Sequence, residues 1–189
     1  MFCEDSRGTD MEHFWPKTPY PARTFDWPNL LLVCGGCNQA KGTRFPLDEQ
    51  GHPLLIDPTA EDPWDYLFFD SATGNVTARF TRDGFAHPKG KTTAGLLPLD
   101  HEAVTEGRLQ VCRNLTRAVG AFLAEYSNAP NDADRQRSVA ELRRAVCDND
   151  SYGLGQWFLW REGQNAEPFL MLRTRYPGIW SEIQGAVRA

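Results

Sequence analysis

Three cysteines carry the first chemistry that the sequence offers. Cys34 and Cys37 are separated by two glycines, which allow the backbone to turn so that both thiolates face one metal ion. With Cys3 as a third soft ligand, these residues predict a tetrahedral zinc site. A redox pair is the alternative interpretation of an isolated Cys-x-x-Cys motif. The five cysteines do not indicate a disulfide framework, because their number is odd and no secretory signal precedes them.

A second group of residues combines oxygen donors with a base. Glu12 and Asn38 offer hard oxygen atoms, which suit Mg²⁺ or Mn²⁺. Histidine is the side chain that changes charge near neutral pH, so His13 can accept a proton from water. The sequence therefore predicts a hydrated divalent cation beside a general base.

The elements that carry this second group limit its geometry. Adjacent residues of a strand point to opposite faces, so Glu12 and His13 can flank one ion only at a strand end or a bulge. Pro16 is consistent with a strand that ends there.

The rest of the chain predicts an α+β fold in which a zinc-stapled module precedes a β-hairpin and a helical C-terminal half. We expect a short strand at residues 54–56 and a hairpin formed by residues 66–70 and 75–80, with Val76, Ala78 and Phe80 on one face. Asp100 is the expected N-cap of a long helix, a second helix spans about 133–147, and one or two more lie within 151–189. Residues 1–70 form the first expected domain and residues 71–189 the second. The apolar stripe of the long helix comprises Val104, Val111, Cys112, Leu115, Val119, Phe122, Leu123 and Tyr126.

Composition excludes several classes of protein. The 189 residues have a net charge of −5, which argues against a protein that coats nucleic acid through a pervasive basic surface. No apolar run approaches the roughly 18 residues that a membrane span needs. The first fifteen residues are acidic and contain no apolar signal region, so we expect a cytoplasmic protein.

The ordered motifs of the first 45 residues resemble those of the HNH endonuclease superfamily. The family core is two strands and a helix that hold one divalent metal, the ββα-metal fold. The resemblance lies in an acid-His pair, an Asn, a zinc knuckle and a Cys-Asn-x-x-Lys string, which occur here in this order: Glu12-His13-Phe14-Trp15-Pro16-Lys17, Asn29-Leu30, and Cys34-x2-Cys37-Asn38-x2-Lys41-Gly42.

The resemblance implies a role for each matching residue in the hydrolysis of nucleic-acid phosphodiester bonds. His13 would be the general base, Glu12 and Asn38 would ligate catalytic Mg²⁺ or Mn²⁺, and Asn29 would orient the loop between them. Zinc would be structural. The residues expected to contact phosphates, with solvated surface charge as the equal alternative, are Lys17, Lys41, Arg7 and Arg44.

Further motifs resemble those of the PtuB-type HNH proteins of the Septu anti-phage defence system and related retron effectors. They are the Glu-His-Phe-x-Pro-Lys string and residues 55–63, and the order of hairpin and helical tail also agrees. The resemblance implies a defence nuclease that works with a PtuA-type ATPase partner on nucleic acid, with DNA favoured over RNA. A homodimer is a further option.

The zinc ligand set is one short of the family pattern. That pattern opens with Cys-x-x-Cys, and the cysteine that would precede Cys3 falls one residue before Met1. The natural start could lie upstream, the site could be degraded, or the fourth ligand could be water, Asp10 or His52.

Two other functions remain as alternatives. A zinc-stapled adaptor or binding subunit without cleavage is the main one, and a redox protein built on the Cys34–Cys37 pair is the third. Residues 90–92 do not predict an ATP site, because Gly84 stands six residues before Gly90 where the phosphate-loop spacing requires five.

Overall fold

The computed structural model describes residues 2–3, 8–149 and 151–188, and the chain divides into two compact units, Met1–Glu106 and Gly107–Ala189. The architecture is α+β, as the sequence predicts, with two small antiparallel sheets in the first unit and helices through the second.

The first unit begins with two paired strands and a helix. Strands β1 (Asp10–His13) and β2 (Leu30–Val33) pair antiparallel, with Asp10 opposite Val33 and His13 opposite Leu30. Helix α1 (Gly35–Lys41) follows β2 directly. Val33 is fully buried, and α1 contacts β1, so the helix covers one face of the strand pair.

Helix α1 starts at the zinc knuckle. Cys34 is its N-cap, and its sulfur accepts the N–H of Cys37 at 3.4 Å. Gly42 ends the helix with a φ of +48°, a conformation that glycine adopts without steric cost. The two glycines predicted to turn the backbone occupy the first turn of this helix.

A hairpin and a second helix complete the first unit. Strands β3 (Leu67–Phe69) and β4 (Val76–Ala78) form the predicted hairpin. Helix α2 (Pro88–Leu96) packs against it so closely that a Cβ at Gly90 would clash with the carbonyl oxygen of Tyr66. Residues 90–92 therefore lie within a helix.

The expected strand at residues 54–56 does not form. The nearest pairing is an isolated bridge between Leu47 and Pro53. Leu55 and Ile56 are buried, and the N–H of Ile56 donates to the Thr93 hydroxyl at 3.0 Å. The apolar run therefore reflects burial in the core, where a side chain from α2 replaces a strand partner.

The second unit is built from helices, and the first of them starts five residues before the unit does. The helices are α3 (Glu102–Asn128), α4 (Asp132–Asp148), α5 (Leu154–Trp160), α6 (Phe169–Arg175) and α7 (Pro177–Arg188). The predicted stripe of α3 is confirmed, since its members are buried except for the half-buried Tyr126. The expectation of one or two helices after residue 151 is wrong. Three form there, because Pro168 and Pro177 both lie at helix starts, which proline favours.

Two details of the expected elements are also wrong. The N-cap of α3 is not Asp100, whose Oδ1 accepts the N–H of Val76 at 2.7 Å, and His101 Nδ1 instead accepts the N–H of Ala103 at 3.3 Å. Strand β4 ends at Ala78, so Phe80 does not share a buried face with Val76 and is 71% exposed.

No helix in the described parts of the chain combines the length and the apolarity needed to cross a bilayer.

Candidate functional site

The three predicted zinc ligands lie together. The sulfur atoms of Cys3, Cys34 and Cys37 are all within 4.8 Å of one another, and those of Cys3 and Cys34 are 3.5 Å apart. The hydrogen bond with Cys3 raises the pKa of the Cys37 thiol well above its ordinary value, and burial raises it further. A divalent cation would reverse this preference, because thiolates are favoured at a metal. This group could hold a metal ion such as zinc.

Within the described residues, no fourth Cys, His, Asp or Glu joins this group. His52 is exposed and lies 3.3 Å from an Asp48 carboxylate oxygen through its Nδ1. Asp10 lies nearer to the knuckle, since its Oδ2 is 3.7 Å from the point where a Cβ would project from Gly35. Neither of the two side chains predicted as a fourth ligand belongs to the group that the three cysteines form.

Strand β1 presents two carboxylates to helix α1. Asp10 and Glu12 are two residues apart, so they share a face of the strand. Asn38 Nδ2 donates to Asp10 Oδ2 at 2.9 Å, and Lys41 Nζ donates to Glu12 Oε1 at 2.7 Å. The register of β1 thus matches each carboxylate with one side chain of the helix.

The Lys41 side chain is fully buried. This burial differs from the expectation that its ammonium group contacts a phosphate of the nucleic acid. Its ammonium group donates to Glu12 and, at 2.7 Å, to the carbonyl oxygen of His13. A buried ammonium group is costly unless it is paired and hydrogen-bonded, and both conditions are met here. Lys41 therefore joins α1 to the end of β1.

His13 occupies the last position of β1, as a strand-end geometry requires. Its Nε2 lies 2.9 Å from the carbonyl oxygen of Thr24. A carbonyl oxygen only accepts, so Nε2 carries a proton and donates it. In the neutral imidazole, Nδ1 then holds the lone pair that can accept a proton from water.

Asn29 holds the segment that surrounds His13. Its Oδ1 accepts the N–H of Trp15 at 2.7 Å, and its Nδ2 donates to the carbonyl oxygens of Trp15 and Arg23 at 3.2 and 2.9 Å. Asn29 is buried, so these three hydrogen bonds are shielded from solvent. They connect the chain just after His13 to the residue that precedes Thr24.

Within the residues that the structure describes, each of the two predicted cation ligands keeps one oxygen atom that is not used in a hydrogen bond. Glu12 Oε2 and Asn38 Oδ1 accept no hydrogen bond within the described part of the chain, since the contacts of these side chains use Glu12 Oε1 and Asn38 Nδ2. Both predicted ligands therefore keep one oxygen for an ion that prefers oxygen ligands and retains several waters.

The other predicted phosphate contacts are placed differently. Lys17 and Arg44 are exposed, and Arg7 lies outside the described residues. Arg44 lines a cavity of about 590 Å³ with Lys91 and Thr92 of α2, and the lining contains no carboxylate.

Sequence reasoning missed three partners in this region. Asp10 pairs with Asn38, Thr24 holds His13, and Lys91 accompanies Arg44. The alternation of Asp10 and Glu12 could have indicated the first, because residues two apart on a strand share a face. No local pattern indicates the other two.

Comparison with known proteins yields a partial relationship. The chain is 39% identical over 64 residues to the Septu protein PtuB of Bacillus thuringiensis, a match that covers 34% of this chain and 23% of the relative. No protein-family model matches the chain. No solved structure matches it significantly. The match spans less than a quarter of the length of its curated relative, and it supports a Septu-type relation for this chain.

Proposed function

We propose that this protein is a metal-dependent HNH-type endonuclease that hydrolyses nucleic-acid phosphodiester bonds. The observation that carries the proposal is the state of His13, whose Nε2–H is held by the Thr24 carbonyl while Nδ1 keeps a free lone pair at the end of β1. The order of two antiparallel strands and a helix supports it, because this is the order that the resemblance implies.

His13 is the general base in the proposed mechanism. Nδ1 removes a proton from an attacking water, and the Thr24 carbonyl stabilises the imidazolium that forms by accepting the hydrogen bond from Nε2–H. Asn29 keeps this carbonyl in place through its bonds to Trp15 and Arg23. Thr24 and Asn29 are thus positioning residues that orient the His13 imidazole.

Glu12 and Asn38 would hold the divalent cation through Glu12 Oε2 and Asn38 Oδ1. When bound, such an ion neutralises charge on the phosphate oxygens. Lys41 fixes the other oxygen of Glu12, so the carboxylate is oriented and its charge partly balanced. Lys41 is thus a positioning residue, and the proposed phosphate contacts are Arg44 and Lys17.

The biological part of the proposal rests on the partial similarity to the Septu protein PtuB. We infer a role in anti-phage defence together with a PtuA-type ATPase. The helical unit Gly107–Ala189 would dock on that partner, and the acidic chain with few basic clusters would depend on it to hold DNA.

A zinc-stapled adaptor without cleavage is the second candidate. The ion pair between Lys41 and Glu12 favours it, because the ammonium group already neutralises the carboxylate that a catalytic cation would use. The uncommitted Nδ1 of His13 favours the nuclease, since an adaptor has no use for it.

Cleavage of plasmid DNA and tRNA with Mg²⁺ or Mn²⁺ tests the proposal, using the protein alone and with an ATPase encoded alongside. We expect His13→Ala to lower the rate at least about 100-fold, which is the lower end of general-base contributions. His52→Ala is the matched control, because His52 is an exposed histidine whose side chain pairs with Asp48. Unchanged cleavage by His13→Ala would reject the mechanism, and a zinc-bound wild type that never cleaves would favour the adaptor.

A further inference from the structure

Two large aromatic side chains are exposed on the segment that joins β1 to β2. Phe25 is 94% exposed and Trp27 is 81% exposed. We call residues 21–29 the aromatic loop. Rings that stay in contact with water contribute no hydrophobic free energy to folding. Clusters of exposed aromatic side chains are typical of binding surfaces.

The aromatic loop borders a cavity of about 410 Å³. The lining includes Asp26 of the loop and Trp15, which precedes the loop. The guanidinium of Arg23 lies 4.3 Å from the centre of the Trp15 ring. This cation-π contact holds a positive charge next to the exposed rings. The cavity thus combines ring faces, one cation and two carboxylates, those of Asp26 and Asp57.

The aromatic loop is connected directly to the proposed general base. Thr24, whose carbonyl oxygen binds His13 Nε2, stands between Arg23 and Phe25. Asn29, at the other end of the loop, fixes Arg23 through its side chain. A ligand that stacks on Phe25 or Trp27 is therefore placed within the segment that positions His13.

We propose that the aromatic loop binds unstacked nucleobases, so that the substrate of this site is single-stranded or locally opened nucleic acid. This inference rests on the proposed nuclease function and names its substrate class. Bases stack on aromatic side chains with little dependence on sequence, whereas the bases of an intact duplex are already stacked and paired. The Asp26 carboxylate, which accepts no side-chain hydrogen bond within the described residues, can accept from base amino groups and disfavours a phosphate there. In this arrangement the cavity would receive the base, and Arg23 is the one cation of the cavity lining that could contact an adjoining phosphate.

The test measures binding of a fluorescently labelled 12-nucleotide single strand and of the matching duplex by anisotropy. Wild-type protein, alone and with an ATPase encoded alongside, is used without added Mg²⁺ or Mn²⁺, which prevents cleavage, and without chelator, which retains zinc. We expect tighter binding of the single strand, and Phe25→Ala and Trp27→Ala should each raise its Kd about 5- to 150-fold. Phe85→Ala is the matched control, because Phe85 is 73% exposed in the same unit but does not line this cavity.

Each result decides the inference. Loss of single-strand binding in the Phe25 and Trp27 variants, with Phe85→Ala unchanged and all melting temperatures equal, supports it. Unchanged Kd in both variants, an equal loss in Phe85→Ala, or a defect limited to binding of the ATPase would overturn it.

The same experiments distinguish failure of the base-binding inference from failure of the proposed nuclease function. If His13-dependent cleavage is present but neither aromatic variant changes Kd or KM, the base-binding inference is wrong and the nuclease remains. If the aromatic rings determine binding but no condition gives cleavage, the chain is a single-strand-binding adaptor and the nuclease proposal is wrong.

Discussion

The Lys41 ammonium group, fully shielded from solvent, donates a 2.7 Å hydrogen bond to Glu12 Oε1, and the Glu12 side chain is only 12% exposed. This ion pair joins the last turn of α1 to β1 across 29 residues of sequence. Removing one charge leaves the other buried without a partner, which costs more than the pair contributes.

Lys41→Met should therefore destabilise the protein by about 3–5 kcal/mol, because Glu12 would lose its buried partner. Glu12→Gln should also be destabilising, and the double variant should recover part of the loss. Urea denaturation of the zinc-loaded protein measures each free energy of unfolding. Strictly additive effects would show that the two side chains are not coupled.

Zinc binding should be measurable as about one zinc ion per chain by elemental analysis. Chelation, Cys34→Ser or Cys37→Ser should lower the melting temperature strongly, since structural zinc contributes on the order of 10 kcal/mol in small modules. Cys147→Ser is the control, because Cys147 is exposed and outside the three-cysteine group. A zinc-free protein with unchanged stability would contradict the assignment.

The cavity lined by Arg44 and Lys91 should contact the nucleic-acid backbone, because two exposed cations meet there without a carboxylate in the lining. Arg44→Ala and Lys91→Ala should each weaken binding of different sequences alike and reduce the slope of log K against log salt by about 0.7–0.9. Binding titrations between 50 and 200 mM salt measure the slope. Arg143→Ala removes the same charge from helix α4 and should leave the slope unchanged.

Glu61 should make stability depend on pH in the acid range. Burial raises the pKa of this carboxyl, but the hydrogen bonds from the Asp57 N–H, Lys89 and Tyr66 outweigh burial and hold it below its ordinary value of 4.5. A folded-state pKa below the unfolded one gives stability that is present above pH 4.5 and is lost as the pH falls through the folded value.

The difference in free energy of unfolding between wild type and Glu61→Gln should therefore shrink from pH 7 to pH 3. Urea denaturation at both values measures it. The lowered pKa values of Asp48 and Asp70 affect both proteins equally and cancel in this difference. A constant difference across the range would show that Glu61 does not titrate with folding.

Much of the fold could be predicted from local patterns. The apolar stripe of α3 and the alternation around Val76 each reflect burial of one face of a single element. Such a face can be predicted from the periodicity of apolar residues within that element alone. The same logic failed for residues 54–56, where an apolar run is buried without a strand partner. It also failed for Asp100, because a short carboxylate side chain can cap any nearby N–H group.

The sequence by itself determined which residue types were available for chemistry: the knuckle of Cys34 and Cys37, and the succession of Glu12 and His13. Only the tertiary structure decided their partners. Lys41 became a buried counter-ion and Thr24 fixed the His13 tautomer, although the sequence marks neither for these roles. The physical reason is that these contacts depend on the register between β1 and β2 and on the seating of α1, which the residues of no single element specify.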